Sequence, residues 1–147
     1  MYLLDTNVVS ELRKAKAGKA DKNVIDWAGN VSADSLFLSV ITILELDIGI
    51  QLVERRAPTQ GTLLRVWLED HVLHAFSGRI LPVDALVAQR CAKLHAPDPC
   101  FDRDALISAT ALVHGLSVIT RNTADFQTTG VVLLNPWQAD ATSSIGQ

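Results

Sequence analysis

The chain lacks what several large protein classes require. It has two cysteines, Cys91 and Cys100, in 147 residues. Two are too few for a disulfide-stapled fold, and a chain this long buries enough core without one. Charged residues make up only 20% against 48% apolar, at a mean hydropathy of +0.22, which excludes intrinsic disorder. Long apolar runs are missing too: the uncharged stretch 105–120 is too short for a membrane span and carries Ser108, Thr110, His114, Gly115 and Ser117. No basic segment precedes an apolar one at the start, where Tyr2-Leu3-Leu4 runs into Asp5, so no secretory signal is expected and a reducing cytoplasm is the default location. Basic excess is absent as well. Thirteen Lys plus Arg against sixteen acids give −3, which excludes a bulk-basic nucleic-acid binder but not a local basic patch.

Nucleotide-binding signatures are equally absent. Neither G-x-x-x-x-G-K-[ST] nor G-x-G-x-x-G occurs, and no His stands in a recognisable pairing with a nucleophile. A receiver-like phosphotransfer domain finds no support, because Asp5-Thr6-Asn7 lacks a second Asp and Arg121 stands where Lys is needed.

What is present is alternation. Short apolar runs at 2–4, 36–40, 79–83, 116–120 and 131–134 are separated by helical patterns, which predicts βαβ units and a mostly parallel sheet. Asp5-Thr6-Asn7 can cap a helix from Val8 to about Ala15, and a short helix follows near 24–28. Thr42-Ile43-Leu44-Glu45 has capping-box spacing and opens a helix to Arg56, which stops before Pro58. Residues 62–75 read as an amphipathic helix with Leu63, Val66, Trp67 and Val72 as its stripe. Asp84 caps a helix over 85–95. Pro97 and Pro99 frame a loop, and a small-residue helix over 104–114 ends at Gly115. The expected organisation is one domain over 1–138 with a polar tail at 139–147.

In open parallel sheets ligands bind outside the carboxyl ends of the strands. Asp5 follows the first strand there, and Asp125 lies in the turn after 116–120. Glu45 and Asp104 are expected in the first turns of helices near the same edge. Each acid has an ordinary explanation: Asp5 leading into a cap, Glu45 as the reciprocal partner of Thr42, Asp104 favoured by a helix dipole, Asp125 as a turn residue. Their conjunction in apolar surroundings has a sharper one. Two unit charges about 4 Å apart repel by roughly 4 kcal/mol at an effective dielectric near 20, so four such acids call for a cation. Oxygen ligands without His or Cys suit Mg²⁺ or Mn²⁺ rather than Zn²⁺, and such sites serve attack on phosphodiesters.

These residues also carry a resemblance. Leu3-Leu4-Asp5-Thr6-Asn7-Val8-Val9-Ser10-Glu11-Leu12, Thr42 to Gly49, Asp104 to Ala111, Thr120-Arg121-Asn122-Thr123-Ala124-Asp125-Phe126 and the closing Leu134-Asn135-Pro136-Trp137 resemble PIN-domain proteins, especially VapC-type and FitB-like toxins. The likeness runs nearly the whole chain to Trp137. It implies a three-layer α/β/α sandwich, a metal-dependent endoribonuclease acting on RNA, a homodimer, and a cognate antitoxin that binds operator DNA and covers the active site. By position it implies Asp5, Glu45 and Asp104 as an acidic triad and Asp125 as a fourth acid, with Thr6, Asn7, Thr120 and Asn122 beside them. The alternative is a non-catalytic PIN-fold subunit of a DNA-binding repressor complex, with apolar helices near 46–52 and 63–73 as partner surfaces.

Other signals weigh less. Cys91, His95 and Cys100 lack an evident fourth zinc ligand nearby and read as two buried thiols and a surface His. His71 and His74 read as a solvated face or a dimer contact. Asp102 reads as a helix cap, with an outer ligand as its alternative. Gly49, inside a helix at a cost of about 1 kcal/mol relative to Ala, points to close packing. Arg13, Lys14, Lys16, Lys19 and Lys22 form the densest basic stretch, either a solvated loop or a phosphate contact, and Arg121 is a further candidate for holding RNA or an antitoxin carboxylate. With the four acids assigned to a metal, twelve remain against thirteen basic residues, and the net charge of −3 ceases to argue against RNA.

Overall fold

The protein is described here by a computed structural model covering residues 1–95 and 102–138. Five short strands, β1 (Tyr2–Leu4), β2 (Leu36–Ser39), β3 (Ile80–Leu81), β4 (Ser117–Ile119) and β5 (Leu133–Leu134), form one sheet in the order β3-β2-β1-β4-β5. Every pairing is parallel, with Tyr2 opposite both Leu36 and Ser117, Leu38 opposite Ile80, and Ile119 opposite Leu134. Apart from β1, the strands are shorter than the apolar runs that encode them. The run 36–40 is cut because Ser39 caps the next helix, its Oγ accepting from the Ile41 N–H at 3.0 Å.

Alternation along the strands sends side chains to two cores. Leu4, Leu36, Leu38, Ile119 and Leu134 face α1 (Thr6–Arg13), α2 (Lys22–Gly29) and the inner side of α3 (Val40–Arg56), packing on Val8, Trp27, Leu46 and Ile50. Leu3 and Val118 face the other way, against Ile107 and Ala111 of α7 (Arg103–His114) and Phe126 of α8 (Thr123–Phe126). A third small cluster joins α7 to α6 (Ala85–His95) through Val87, Cys91, Ala105 and Ala109. The result is the expected three-layer sandwich. Among the described residues, no helix is long and apolar enough to cross a membrane.

Several local expectations are corrected. The first helix starts at Thr6, not Val8, because Asp5 itself is the cap, its Oδ1 accepting from the Thr6 N–H. The Thr42–Glu45 capping box does not form: capping by Ser39 starts α3 at Val40, which moves Glu45 into the second turn. The helix expected over 62–75 begins at Pro58. It runs as α4 (Pro58–Val66), a wide π turn (Trp67–Val72) and α5 (Leu73–Ala75). Its inward positions are Gly61, Leu64, Leu68 and Val72, while Leu63 and Val66 point to solvent. Asp84 and Asp102 do cap as expected, accepting from the Val87 and Ala105 N–H groups at 3.0 and 2.9 Å. Gly115 ends α7 at a φ of 67°, the left-handed conformation its lack of Cβ allows.

Cys91 is buried among apolar neighbours, and burial raises its thiol pKa, as a structural thiol requires. Cys100, the Pro97–Pro99 loop and the tail 139–147 lie outside the described residues. His71 and His74 are both exposed.

The glycine inference is also reversed. Gly49 is exposed, and a Cβ there would meet nothing within 4 Å. Gly61 is the close approach: a Cβ would stand 2.6 Å from the Glu54 Cα, where α4 crosses α3. Arg65 latches the same hairpin, reaching Asp47 and Glu54 at 2.9 Å each. Gly61→Ala should therefore cost about 1–3 kcal/mol by forcing the helices apart. Gly49→Ala should gain up to about 1 kcal/mol from helix propensity. Urea unfolding midpoints at constant m-value check both; equal stability of Gly61→Ala and wild type would refute the close-packing account.

Candidate active site

The chain runs β1, β2, β3 toward one edge of the sheet, then returns to place β4 and β5 on the other side of β1. The switch point therefore lies between the carboxyl ends of β1 and β4, where a crevice opens in such sheets. Asp5 leaves β1 there and Thr120 leaves β4. A backbone bond joins the two ends, Asp5 N–H to the Ile119 carbonyl at 2.9 Å, and a second, Thr120 N–H to the Leu134 carbonyl at 3.0 Å, ties the end of β4 to β5.

Asp5 is 5% exposed, and both of its carboxylate oxygens are engaged. Oδ1 accepts from the Thr6 N–H at 2.8 Å. Oδ2 accepts from the Thr120 hydroxyl at 2.8 Å and from Asn7 Nδ2 at 3.3 Å. Burial nevertheless raises its pKa; the Thr120 and Thr6 hydrogen bonds pull the other way, and the charges of Glu45 and Asp125 add to the rise. Asn7 also donates to Thr120 Oγ1 at 3.3 Å, so Asp5, Asn7 and Thr120 form a closed triangle. Asn122 enters through its backbone, donating its N–H to Thr120 Oγ1 at 3.0 Å, while its side chain lies at the surface.

Glu45 reaches the same place from α3. Its Oε1 accepts from the Thr6 hydroxyl at 2.7 Å, and that hydroxyl lies 3.4 Å from the buried Thr42 hydroxyl. Its Oε2 stands 3.4 Å from Arg103 Nε. Asp104, the second residue of α7, is half-buried. Its carboxyl is pushed up to about 6, first by desolvation and then by the negative charges of Asp5, Asp102, Glu45 and Asp125. Asp125 sits exposed on α8, a short helix rather than the expected turn, and bears on Asp5 and Asp104 by charge.

The four acids from distant segments thus share one electrostatic neighbourhood. They are not drawn into a chelating set: among the described residues, no three His, Cys, Asp or Glu side chains are grouped so as to hold a metal ion as they stand. Hydrogen bonds hold Asp5 toward Thr120, and Arg103 holds Glu45, while like charges drive the remaining carboxylates apart. The donor set still fits a hard divalent cation, since it offers carboxylates and hydroxyls and no thiol or imidazole. Arg103 was not anticipated from the sequence; its position next to Asp104 was the available signal.

Comparison with known proteins adds an independent line. The family description "PIN domain" matches residues 2–131. A protein named VapC ribonuclease Y4jK, from Sinorhizobium fredii, is 37% identical over 94% of this chain and 99% of its own. Toxin FitB of Neisseria gonorrhoeae is 36% identical over 93% and 99% of the two chains. The crystal structure of FitAcB from that organism matches with a TM-score of 0.84 at 34% identity, over 94% of this chain and 99% of that one. A toxin–antitoxin complex from Klebsiella pneumoniae matches with a TM-score of 0.64 at 25% identity, over 92% and 98%.

The raised Asp104 pKa has a thermodynamic consequence. Between the ordinary value of 3.8 and about 6 the folded state binds more protons than the unfolded state, so this group's contribution to stability falls as pH rises. In metal-free buffer, the thermal midpoint of Asp104→Asn relative to wild type should climb from pH 4 to pH 7. A gap that is the same at both pH values would show that Asp104 carries no such strain.

Proposed function

The chain belongs to the PIN-domain family, and on that premise we propose that it is the ribonuclease toxin of a toxin–antitoxin pair, using Mg²⁺ or Mn²⁺ to hydrolyse RNA phosphodiester bonds. The observation that carries this reading is the near-sealed Asp5 at the switch point of the sheet, with Glu45, Asp104 and Asp125 bearing on it by charge. Asp5, Glu45, Asp104 and Asp125 would hold the cation, directly or through water. When bound, such an ion supplies an acidified water and stabilises charge on the attacked phosphodiester.

The chain's own residues prepare that site. Thr6 N–H and Thr120 Oγ1–H fix the two oxygens of Asp5 in one orientation, and Asn7 braces both Asp5 and Thr120. The Thr6 hydroxyl and Arg103 hold Glu45 from opposite oxygens. Carboxylates positioned by such outer contacts are preorganised for a cation and lose little on binding it. The reading as a non-catalytic repressor subunit is not favoured, because all four acids are present at one edge of the sheet.

The proposal extends to assembly. The outer face of α3 exposes Leu44, Ile48 and Leu52 at helical spacing, beside Leu63 and Val66 of α4, and this apolar stripe suits a second copy of the chain. An antitoxin made in the same cell would cover the acidic site until needed, which places the action in the cytoplasm.

Asp5→Asn and Asp104→Asn should each abolish RNA cleavage and growth arrest, and EDTA should silence the wild type until Mg²⁺ is restored; cleavage retained by either variant sinks the assignment. Thr120→Val should keep the fold and lose about 10–100-fold in activity. For assembly, light scattering should find a dimer in wild type and a monomer in Ile48→Asp. A monomeric wild type, or an unchanged dimer, would count against that surface.

A further inference from the structure

Thr120-Arg121-Asn122 and the closing Asn135-Pro136-Trp137 are far apart in the chain and meet beside the acidic site. Arg121 immediately follows Thr120, and its N–H donates to Asn7 Oδ1 at 3.3 Å, so its backbone belongs to the network that orients Asp5. Its side chain instead lies outside, with the guanidinium carbon 5.2 Å from the centroid of the Trp137 ring. Trp137 is itself held. Its backbone N–H donates to Asn135 Oδ1 at 2.9 Å, its carbonyl accepts from Asn23 Nδ2 at 2.7 Å, and its side chain packs, partly buried, against the core cluster that holds Leu4 and Trp27.

This arrangement leaves a specific capacity unused. Stacking on an aromatic ring occupies a face of the guanidinium, while its N–H donors lie in the plane and project sideways. Among the described residues, Arg121 makes no ion pair and no side-chain hydrogen bond. A planar donor fork with no carboxylate at bonding distance, lying over a ring, matches two oxygens of a phosphodiester.

The basic segment adds direction. Glu11 is held below its usual pKa first by the Asp21 N–H and further by Lys14 and Arg121, which sets Arg121 on the same side as the beginning of that segment. Lys14 is spent on Glu11 at 3.2 Å. Lys16 and Lys19 remain exposed, and Lys22 precedes Asn23, the residue that grips Trp137. The far end of the segment is thus tied to Trp137 through Asn23, and the near end adjoins Glu11, whose charge Arg121 feels.

We propose that Arg121 binds an RNA phosphate next to the bond being cut, with Trp137 as the positioning residue that holds its guanidinium plane, and that the strand continues toward Lys16, Lys19 and Lys22. The inference rests on the ribonuclease reading and adds to it the element that grips the substrate. A lone phosphate contact made equally in ground and transition states changes KM and leaves kcat alone.

The test pairs steady-state cleavage of a single-stranded RNA in Mg²⁺ with anisotropy binding of the same RNA to the full-length Asp104→Asn protein. Arg121→Ala should raise KM and Kd about tenfold and hold kcat near wild type. It should also reduce the slope of log affinity against log salt by about 0.7, the loss of one single-strand phosphate contact. Arg121→Lys should recover only part, having lost the fork. Trp137→Leu should reproduce much of the Arg121→Ala effect, Trp137→Phe should largely rescue it, and Trp137→Leu should add little in the Arg121→Ala background. An unchanged salt slope and KM with a fallen kcat would overturn the proposal. So would unchanged RNA affinity with lost antitoxin inhibition, which would give Arg121 to the protein partner. Arg121-dependent RNA binding by a wild type that cuts no RNA would sink the nuclease reading alone, and cleavage with Arg121-independent affinity would sink this one alone.

Discussion

A carboxylate at 5% exposure on the end of the central strand sets the terms for everything around it. Removing an ionised carboxylate from water costs several kcal/mol unless hydrogen bonds replace the lost hydration. Asp5 obtains that replacement from two directions: the N-terminus of α1, through the Thr6 N–H, and the end of β4, through the Thr120 hydroxyl. The Thr6 N–H is supplied by the next residue, but the Thr120 partner exists only because β1 and β4 are neighbours in register, with Leu4 opposite Ile119. The sheet order and the acid are therefore one constraint. Without the crossover that places β4 beside β1, Asp5 Oδ2 would lose the Thr120 hydroxyl and keep only the longer contact from Asn7.

The same carboxylate organises the next layer by repulsion. Hydrogen bonds only partly offset its burial, and its proton affinity stays raised, as does that of Asp104. Arg103 relieves Glu45, one of the converging charges, but Asp104 and Asp125 have no comparable cation at bonding distance among the described residues. A site in this condition is stabilised by any species that brings positive charge, which is why a divalent cation and an RNA-cutting role are coherent with it. The surrounding rim has the opposite sign. Arg121 and the lysines beyond it stand ready for phosphate just outside a pocket that would repel it when empty of metal.

The remaining elements work as scaffold. The α3–α4 hairpin closes so tightly at Gly61 that no side chain fits, and Arg65 of α4 reaches Asp47 and Glu54 of α3 across the same crossing. This fixes α3, and with it the position of Glu45, from the side opposite the sheet. The apolar stripe of Leu44, Ile48 and Leu52 is the face of α3 left over once Leu46 and Ile50 are buried.

Much of this was legible in the amino-acid sequence, and the part that was not has a physical pattern. The succession of strands and helices follows from apolar runs and caps, which are local, while the rule that parallel sheets bind at their carboxyl ends pointed to the edge where the acids were sought. Asp84, Asp102 and Gly115 read correctly because a cap is decided within four residues. The misreadings arose where two local solutions compete and a distant contact chooses. Ser39 displaced Thr42 as a cap, freeing Thr42 and Glu45 to meet Thr6 from a different element. Gly49 and Gly61 look alike in a helical pattern, and only the crossing of α4 on α3 tells which one is crowded. The stripe of α4 differs from the expected one because the crossing on α3 turns Gly61 and Leu64 inward and leaves Leu63 and Val66 outside. By itself, then, the sequence determined the alternation of strands and helices and the parallel sheet, since apolar periodicity suffices for those, and it carried the PIN-domain resemblance that implied the layers. Only the tertiary structure decided which oxygen of Asp5 faces which donor, that Arg103 answers Glu45, and that Arg121 rests on Trp137. Each of these depends on groups brought within a few ångströms by β1–β4 pairing, and no sequence spacing encodes that distance.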